Sequence, residues 1–479
     1  MRTKRLIDDI SRFRQPAPDG FGQHPDFDFK KYQREACSVL GKRERARDLE
    51  TAEKRTYEFM EISEKRKLSL STLFNPVHPE VFLIPRNRFF HVVDEWDDDI
   101  GFERTVFPFS STDFYVDVDK EGSVFYEIVH NPAFQRLAGI SQLGYLVPPR
   151  PKEWDKNVSI AYLTPQFPHN RWIHSLLVAI IMEAILARNG FSKEERIPVV
   201  LAAGFHDIAI PAGGDSVKRV DPENLGEEEN FAWLVRRYNL DKRWQEQFDF
   251  NLASAEEWIA GKGSFGQLLD FIDKISYTAL DCFHLGVQRK GRVRSLCLKN
   301  PLVMDVWQDI VATGQESFAF SNSDNLFNFL LLRAYEFQEL LYNPYSRALD
   351  LFLKKMVQPL YRKKIITKEQ LLTQDDSWLK QVLENHYPGQ IKWYVEPEEL
   401  SWKKFRTEKE QEEFRKRLGS RLDHAECISE FDTGLDFPVL KGDRVIPLRK
   451  AISPKRTMLL ERVAGSMKGY YVYYNLKKS

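Results

Sequence analysis

The chain has 479 residues, 42% hydrophobic and 29% charged, with 70 Lys and Arg against 70 Asp and Glu, which suits a soluble chain of more than one domain. The balanced charge gives no argument for a membrane surface and places nucleic acid last among partners. The longest apolar run, Leu176–Leu186, is interrupted by Glu183 and is too short for a membrane span. Four scattered cysteines without CxxC spacing (Cys37, Cys282, Cys297, Cys427), and a basic Met1–Arg5 with no apolar stretch after it, point to a reducing cytoplasm rather than secretion.

In chain order, residues 1–104 read as a largely helical N-terminal extension, with a Lys/Glu/Arg/Ala-rich helix over Phe29–Lys67 and an acidic boundary loop at Asp94–Asp99. Residues 105–360 form the main helical body. Phe114–Val118 alternates like a short strand, Asn131-Pro132 starts a helix, and Asn170 caps another that stops at Asn189-Gly190. Ser254 with Glu257 is expected to form a capping box, Phe265–Leu285 is helical in pattern, and Asn325–Met356 is a helical stretch broken near Asn343-Pro344. Residues 361–479 form a small α+β region, with capping boxes at Thr367/Gln370 and Thr407/Glu410. Its strand-like runs are Ile391–Val395, Arg444–Leu448 and Tyr470–Tyr474. The expected class is mainly α.

The chemistry concentrates around His206-Asp207, which ends the apolar run Val199–Phe205. His174 lies upstream, in the helix opened by Asn170, and Asp273 lies downstream in a second helix. A single helical histidine is more often a packed core residue than a ligand. The four together offer two imidazoles and two carboxylates to one divalent metal, with Mn, Fe, Co, Ni or Zn suiting mixed nitrogen and oxygen better than a pure Mg or Ca cage. Such a metal polarises a phosphorus centre and acidifies water. Helical spacing places Asp273, Tyr277 and Asp281 in one row, with Lys274 at its edge, and puts Arg171 on the face of His174.

These residues resemble the HD-domain phosphohydrolase superfamily, whose pattern is His, then His-Asp, then Asp. The likeness extends through Asn131–Leu137, Ile140–Gly144, Pro168–Ser175 and Ile272–Gly286, and looks like the deoxynucleoside triphosphate triphosphohydrolase branch. It covers about residues 105–360 and implies an all-α HD core. By motif, the resemblance makes His174, His206, Asp207 and Asp273 the metal ligands, with Asp207 central to catalysis, and Arg171 and Lys274 phosphate contacts. It lines a sugar pocket with Gln142, Leu143, Tyr277, Asp281 and Tyr345.

The chain departs from that branch after its His-Asp pair. The branch has a Gly-His-Gly-Pro run, a further histidine and a later His-Glu pair; here stand Ile208–Asp215 and Glu227-Glu228-Glu229-Asn230. Asp215 and Glu229 become the candidates for acid–base work. The implied activity is metal-dependent hydrolysis of a nucleotide, with water attacking the α-phosphorus of a deoxynucleotide to release triphosphate. The alternatives are a nucleotidase-type hydrolase of smaller phosphoesters and a metal- or nucleotide-binding regulator without turnover. Relatives of this kind often form homo-oligomers, but no sequence feature specifies an interface.

Overall fold

One helix organises the body. The run Leu176–Leu186 is apolar on every side of a helix, and such a helix is stable only when surrounded. In the computed structural model Leu176, Leu177, Ile180, Ile181, Ile185 and Leu186 are all at most 1% exposed. Each such side chain contributes roughly 1.5–3 kcal/mol of burial. The structure describes residues 81–85, 102–105, 110, 112–117, 121–143, 160–162, 169–289, 292–295, 303–314, 317–388, 400–419 and 422–475. The expected helix over Phe29–Lys67, the acidic loop at Asp94–Asp99 and the strand over Ile391–Val395 lie outside them.

The described residues begin with strands β1 (Val81–Pro85), β2 (Phe102–Thr105) and β3 (Thr112–Asp117), paired antiparallel in the order β1-β3-β2. Helices α1 (Val124–His130) and α2 (Pro132–Gln135) follow, the latter capped by Asn131, whose side chain accepts from Ala133 N. After β4 (Ile160–Tyr162) comes the central helix α3 (Arg171–Arg188), opened by the Asn170 side chain accepting from Ile173 N. Asn189 caps its end and Gly190, at φ 83°, turns the chain out.

Helix α4 (Lys193–Phe205) starts at a Ser192/Glu195 capping box and packs back along α3. Its last turn is Ala202-Ala203-Gly204-Phe205, and a Cβ on Gly204 would fall 2.7 Å from Ile128 Cδ1, so a larger residue there would make the Ile128 side chain shift. Short helices α5 (Gly214–Lys218) and α6 (Pro222–Leu225) lead to α7 (Glu227–Arg237), α8 (Leu240–Phe248) and α9 (Leu252–Ile259). The cap of α9 is Asn251, accepting from Ser254 N, rather than the expected Ser254. The helix begins earlier than the capping-box spacing suggests because Leu252 and Ala255 already turn toward the core. Helix α10 (Gly263–His284) then crosses α3.

The mainly α class holds, but the body is not all-α. Strands β5 (Leu285–Arg289) and β6 (Arg292–Ser295) join β4, and β7 (Ile310–Gly314) pairs with β8 (Ser317–Phe320). The first of them forms where the run Leu285-Gly286-Val287 ends the helical periodicity of α10. Helix α11 (Ser323–Glu336) passes through a π turn, Phe337–Leu341, into α12 (Pro344–Arg362), which accounts for the break near Asn343-Pro344.

Helices α13 (Lys368–Thr373) and α14 (Asp376–His386) fold back onto the body. Leu371, Leu379 and Leu383 share a small core with Ala212, Val217 and Leu225 from the segment after His206-Asp207. Beyond them, β9 (Leu400–Phe405), α15 (Glu408–Leu418), β10 (Leu422–Ile428) and β13 (Gly469–Asn475) build the α+β tail, with β13 central in the order β10-β13-β9. Strands β11 (Pro438–Lys441) and β12 (Arg444–Pro447) join the β7–β8 sheet, and α16 (Leu448–Ala451) and α17 (Pro454–Met467) complete the chain. No helix among the described residues is long and apolar enough to cross a membrane.

Candidate active site

Three helices deliver four side chains to one point. The Asn170 cap sets where α3 begins and so places His174 one turn in, fully buried. His206 is the residue at which α4 stops, and Asp207 follows, 5% exposed. Asp273 comes from the middle of α10. Donor atoms of His174, His206 and Asp207 lie within 4.8 Å of one another, so these three can hold a metal ion. Asp273 joins them, with Oδ1 3.0 Å from His174 Nε2 and 3.7 Å from His206 Nε2. Asp207 Oδ2 is 3.5 Å from His174 Nε2, and its Oδ1 is 3.7 Å from His206 Nε2.

The hydrogen bonds behind the imidazoles decide which nitrogens face inward. His206 Nδ1 is 2.7 Å from Ala203 O, a carbonyl that can only accept, so Nδ1 carries the proton. Ser276 Oγ donates to His174 O at 3.2 Å and therefore accepts from His174 Nδ1 at 3.0 Å. Both Nε2 lone pairs are left pointing into the cluster, 3.3 Å apart. Two lone pairs at that distance beside two carboxylates call for positive charge between them.

The electrostatics agree. Burial opposes charge on His206, yet Asp207 and Asp273 raise its pKa to about 9, so a proton occupies the place a cation would take. Burial works against the Asp207 carboxylate too, but Arg171 and the two histidines lower it to about 2. Asp273 is likewise held far below the ordinary carboxylate range, against burial, by its hydrogen bonds to His174 and His206. Two ionised carboxylates and two imidazoles with Nε2 turned inward form a donor set that fits a divalent cation once it displaces the protons held there.

Beside this set lies a band of ion pairs. Arg171 donates from Nη1 to Asp207 Oδ2 at 2.8 Å and from Nη2 to Asp215 Oδ2 at 2.7 Å. Its Nε is buried and has no hydrogen-bond partner among the described residues. Lys218, on α5, pairs with Glu227 at the start of α7. Burial raises the Glu227 carboxyl to about 7, with Lys218 opposing and the charges of Asp215 and Asp207 adding to it.

The expected acid–base residue Glu229 does not share this environment. It is exposed, and its Oε2 lies against Gly226, 1.9 Å from where a Cβ would stand. In a run of three glutamates the helix start decides which one faces inward. Gly226 caps α7, and Asn230 Nδ2 donates to Gly226 O and Asn224 O, which turns Glu227 inward. Nothing in the sequence distinguishes the three.

Two members of the row expected to meet a sugar, Tyr277 and Asp281, have partners within the protein. Tyr277 Oη accepts from Arg333 Nε at 2.5 Å, and the Arg333 guanidinium stacks 4.7 Å from Phe337 and 5.0 Å from Phe431. Asp281 is 1% exposed, with Oδ1 2.8 Å from His169 Nε2. Burial raises Asp281 to about 7 and raises Glu336, which accepts from Thr278 Oγ1 at 2.7 Å, well above its ordinary value. Lys274 pairs with Asp270 one turn back and lies 3.8 Å from Asp432, rather than reaching toward the histidines. Gln142 is buried, with its backbone N donating to His169 O and its Oε1 unpartnered among the described residues. Leu143 is 8% exposed, and Tyr345 falls in the first turn of α12.

No family model and no curated protein matches the sequence. Among solved structures, the chain is similar to a phosphohydrolase from Bacteroides thetaiotaomicron, at 14% identity and a TM-score of 0.56, over 78% of this chain and 99% of that one. It is also similar to a hypothetical protein from Aquifex aeolicus, at 17% identity and a TM-score of 0.55, over 79% of this chain and 97% of that one. At these identities the likeness is one of fold.

Proposed function

We propose that the protein is a metal-dependent phosphohydrolase acting on a nucleotide, of the deoxynucleoside triphosphate triphosphohydrolase kind. The observation that carries this reading is the pair of inward Nε2 atoms 3.3 Å apart, flanked by Asp207 and Asp273. His174, His206, Asp207 and Asp273 would hold one divalent cation, whose chemistry is to polarise a phosphoryl oxygen and make water a better nucleophile. Likeness of fold to a protein named phosphohydrolase supports the same class.

The chain's own residues divide the remaining work. Arg171, fixed by Asp207 and Asp215, sets a guanidinium charge beside the ligands, where a phosphate oxygen needs neutralising. Glu227, paired with Lys218 and raised above the ordinary carboxylate range by burial, is the carboxyl we assign to give a proton to the leaving oxygen; Asp215 holds Arg171 and borders the same space. Glu227 takes the acid role expected of Glu229 from the resembled branch.

One observation favours a smaller substrate. Arg171, Lys218 and Lys274 are each paired with carboxylates, and Tyr277 and Asp281 are engaged within the protein. A site with so little unpaired positive charge neutralises a monophosphate more readily than a triphosphate. Mass spectrometry after incubation with dNTPs, NTPs and nucleoside monophosphates under several divalent metals separates the readings. Nucleoside plus triphosphate supports the first and nucleoside plus orthophosphate the second. Nucleotide binding without hydrolysis under any metal leaves a binding protein and removes the enzyme.

A further inference from the structure

The loop after His206-Asp207 is held by two half-buried side chains of opposite charge. Arg136 donates from Nη2 to Ile208 O at 2.7 Å and Ile210 O at 2.8 Å, and from Nη1 to Gln374 O at 2.9 Å. At the far end of the loop, Asp376 Oδ1 accepts from Gly213 N at 2.7 Å, while its Oδ2 accepts from Ser141 N at 3.0 Å. Ala212 N adds a bond to Leu371 O at 2.8 Å. An acidic residue in the first turn of a helix is commonly there for the helix dipole. Asp376 is not so explained, because both its oxygens reach other segments and Asp375 does the capping, accepting from Trp378 N.

The two segments that Asp376 joins matter for the site. Gly213, at φ 85°, is the cap of α5 and stands two residues before Asp215. Ser141 pairs with Asn170, the cap of the helix that begins at Arg171. One carboxylate thus connects the backbone that delivers Asp215 to the backbone that delivers Arg171, and those two side chains meet at 2.7 Å.

We propose that Asp376 is a positioning residue: by clamping Gly213 and Ser141 it sets the Arg171–Asp215 pair beside the metal ligands, which makes α13–α14 part of the working site. The proposal rests on the phosphohydrolase reading for its kinetic consequence but not for its structural one. A shift of about 1 Å in a substrate-orienting pair costs up to about 100-fold in rate.

The test compares Asp376→Asn and Asp376→Ala with the full-length wild type, each loaded with the metal. Asn is isosteric but keeps one acceptor oxygen, so it releases one amide; Ala releases both. Amide exchange of Gly213 and Ser141 is expected to quicken by at least ~10-fold where the acceptor is lost. The Arg171 Nε NMR resonance should move, metal content should stay at the wild-type value, and kcat should fall about 10–100-fold for Ala and less for Asn, with KM within about 3-fold. Unchanged exchange at both amides, or an unmoved Arg171 resonance, overturns the proposal. So does a kcat equal to wild type in the Ala variant. A wild type that hydrolyses no phosphoester removes the functional reading alone; exchange and the Arg171 resonance then still decide whether the clamp exists.

Discussion

The two ends of the acidic row on α10 are built in opposite ways. Asp273 has a side chain 32% exposed and points at two imidazoles whose lone pairs have no protein donor between them. Asp281, two turns on, is 1% exposed and closed off by His169, with Tyr277 between them bound to Arg333. The same helical spacing therefore yields one carboxylate open to a ligand and one engaged by the fold. The difference comes from which residues arrive from elsewhere: His174 and His206 meet Asp273, whereas His169 closes on Asp281 and Arg333 on Tyr277.

The largest effect should come from the open end. Asp207→Ala is expected to remove bound metal and lower hydrolysis at least ~10³-fold, while circular dichroism keeps its helical signal. Metal and activity retained together would mean the imidazole–carboxylate cluster is structural.

Next comes the proposed proton donor. Glu227→Gln should lower kcat about 100-fold with metal content unchanged. In the wild type, activity that needs protonated Glu227 should fall as pH rises past about 7, and the Gln variant should lack that limb. The stability sign is the same: the folded value lies above the ordinary 4.5, so the contribution is full below 4.5 and lost as pH rises through about 7. A wild-type pH–rate profile flat across neutrality would remove Glu227 from the chemistry.

The closed end should respond in stability rather than rate. Arg333→Met breaks charged hydrogen bonds to Tyr277 Oη and Asp432 O and should cost about 1.5–3 kcal/mol in denaturant unfolding, with kcat within about 3-fold. Tyr277→Phe should do least, about 1 kcal/mol of stability and a KM within about 3-fold, because its hydroxyl already serves Arg333. A KM rise beyond ~10-fold in the Phe variant would show that the hydroxyl meets substrate and that the row opens in use.

Much of the cluster could be read from local signals. The Asn170 cap fixes where α3 starts and so where His174 points, and the apolar run Val199–Phe205 ends at His206. The class was legible for the same reason, since helical periodicity dominates the body. What could not be read depends on distant partners or on a one-residue choice of helix start. Arg333, His169 and Glu336 lie far from Tyr277 or Asp281 in sequence yet decide their state. Asp376 reaches Gly213 across 163 positions, and no spacing rule links them. Glu227 rather than Glu229 faces inward because α7 begins immediately after Gly226, and Asn251 rather than Ser254 caps α9 for a similar reason.

Metal stoichiometry by inductively coupled plasma mass spectrometry, on wild type and Asp207→Ala purified side by side, addresses the central claim most directly. The account predicts roughly one divalent ion per wild-type chain and less than about a tenth of that in the variant. Equal metal in the two proteins, or none in the wild type after reconstitution with any of the candidate ions, would contradict it.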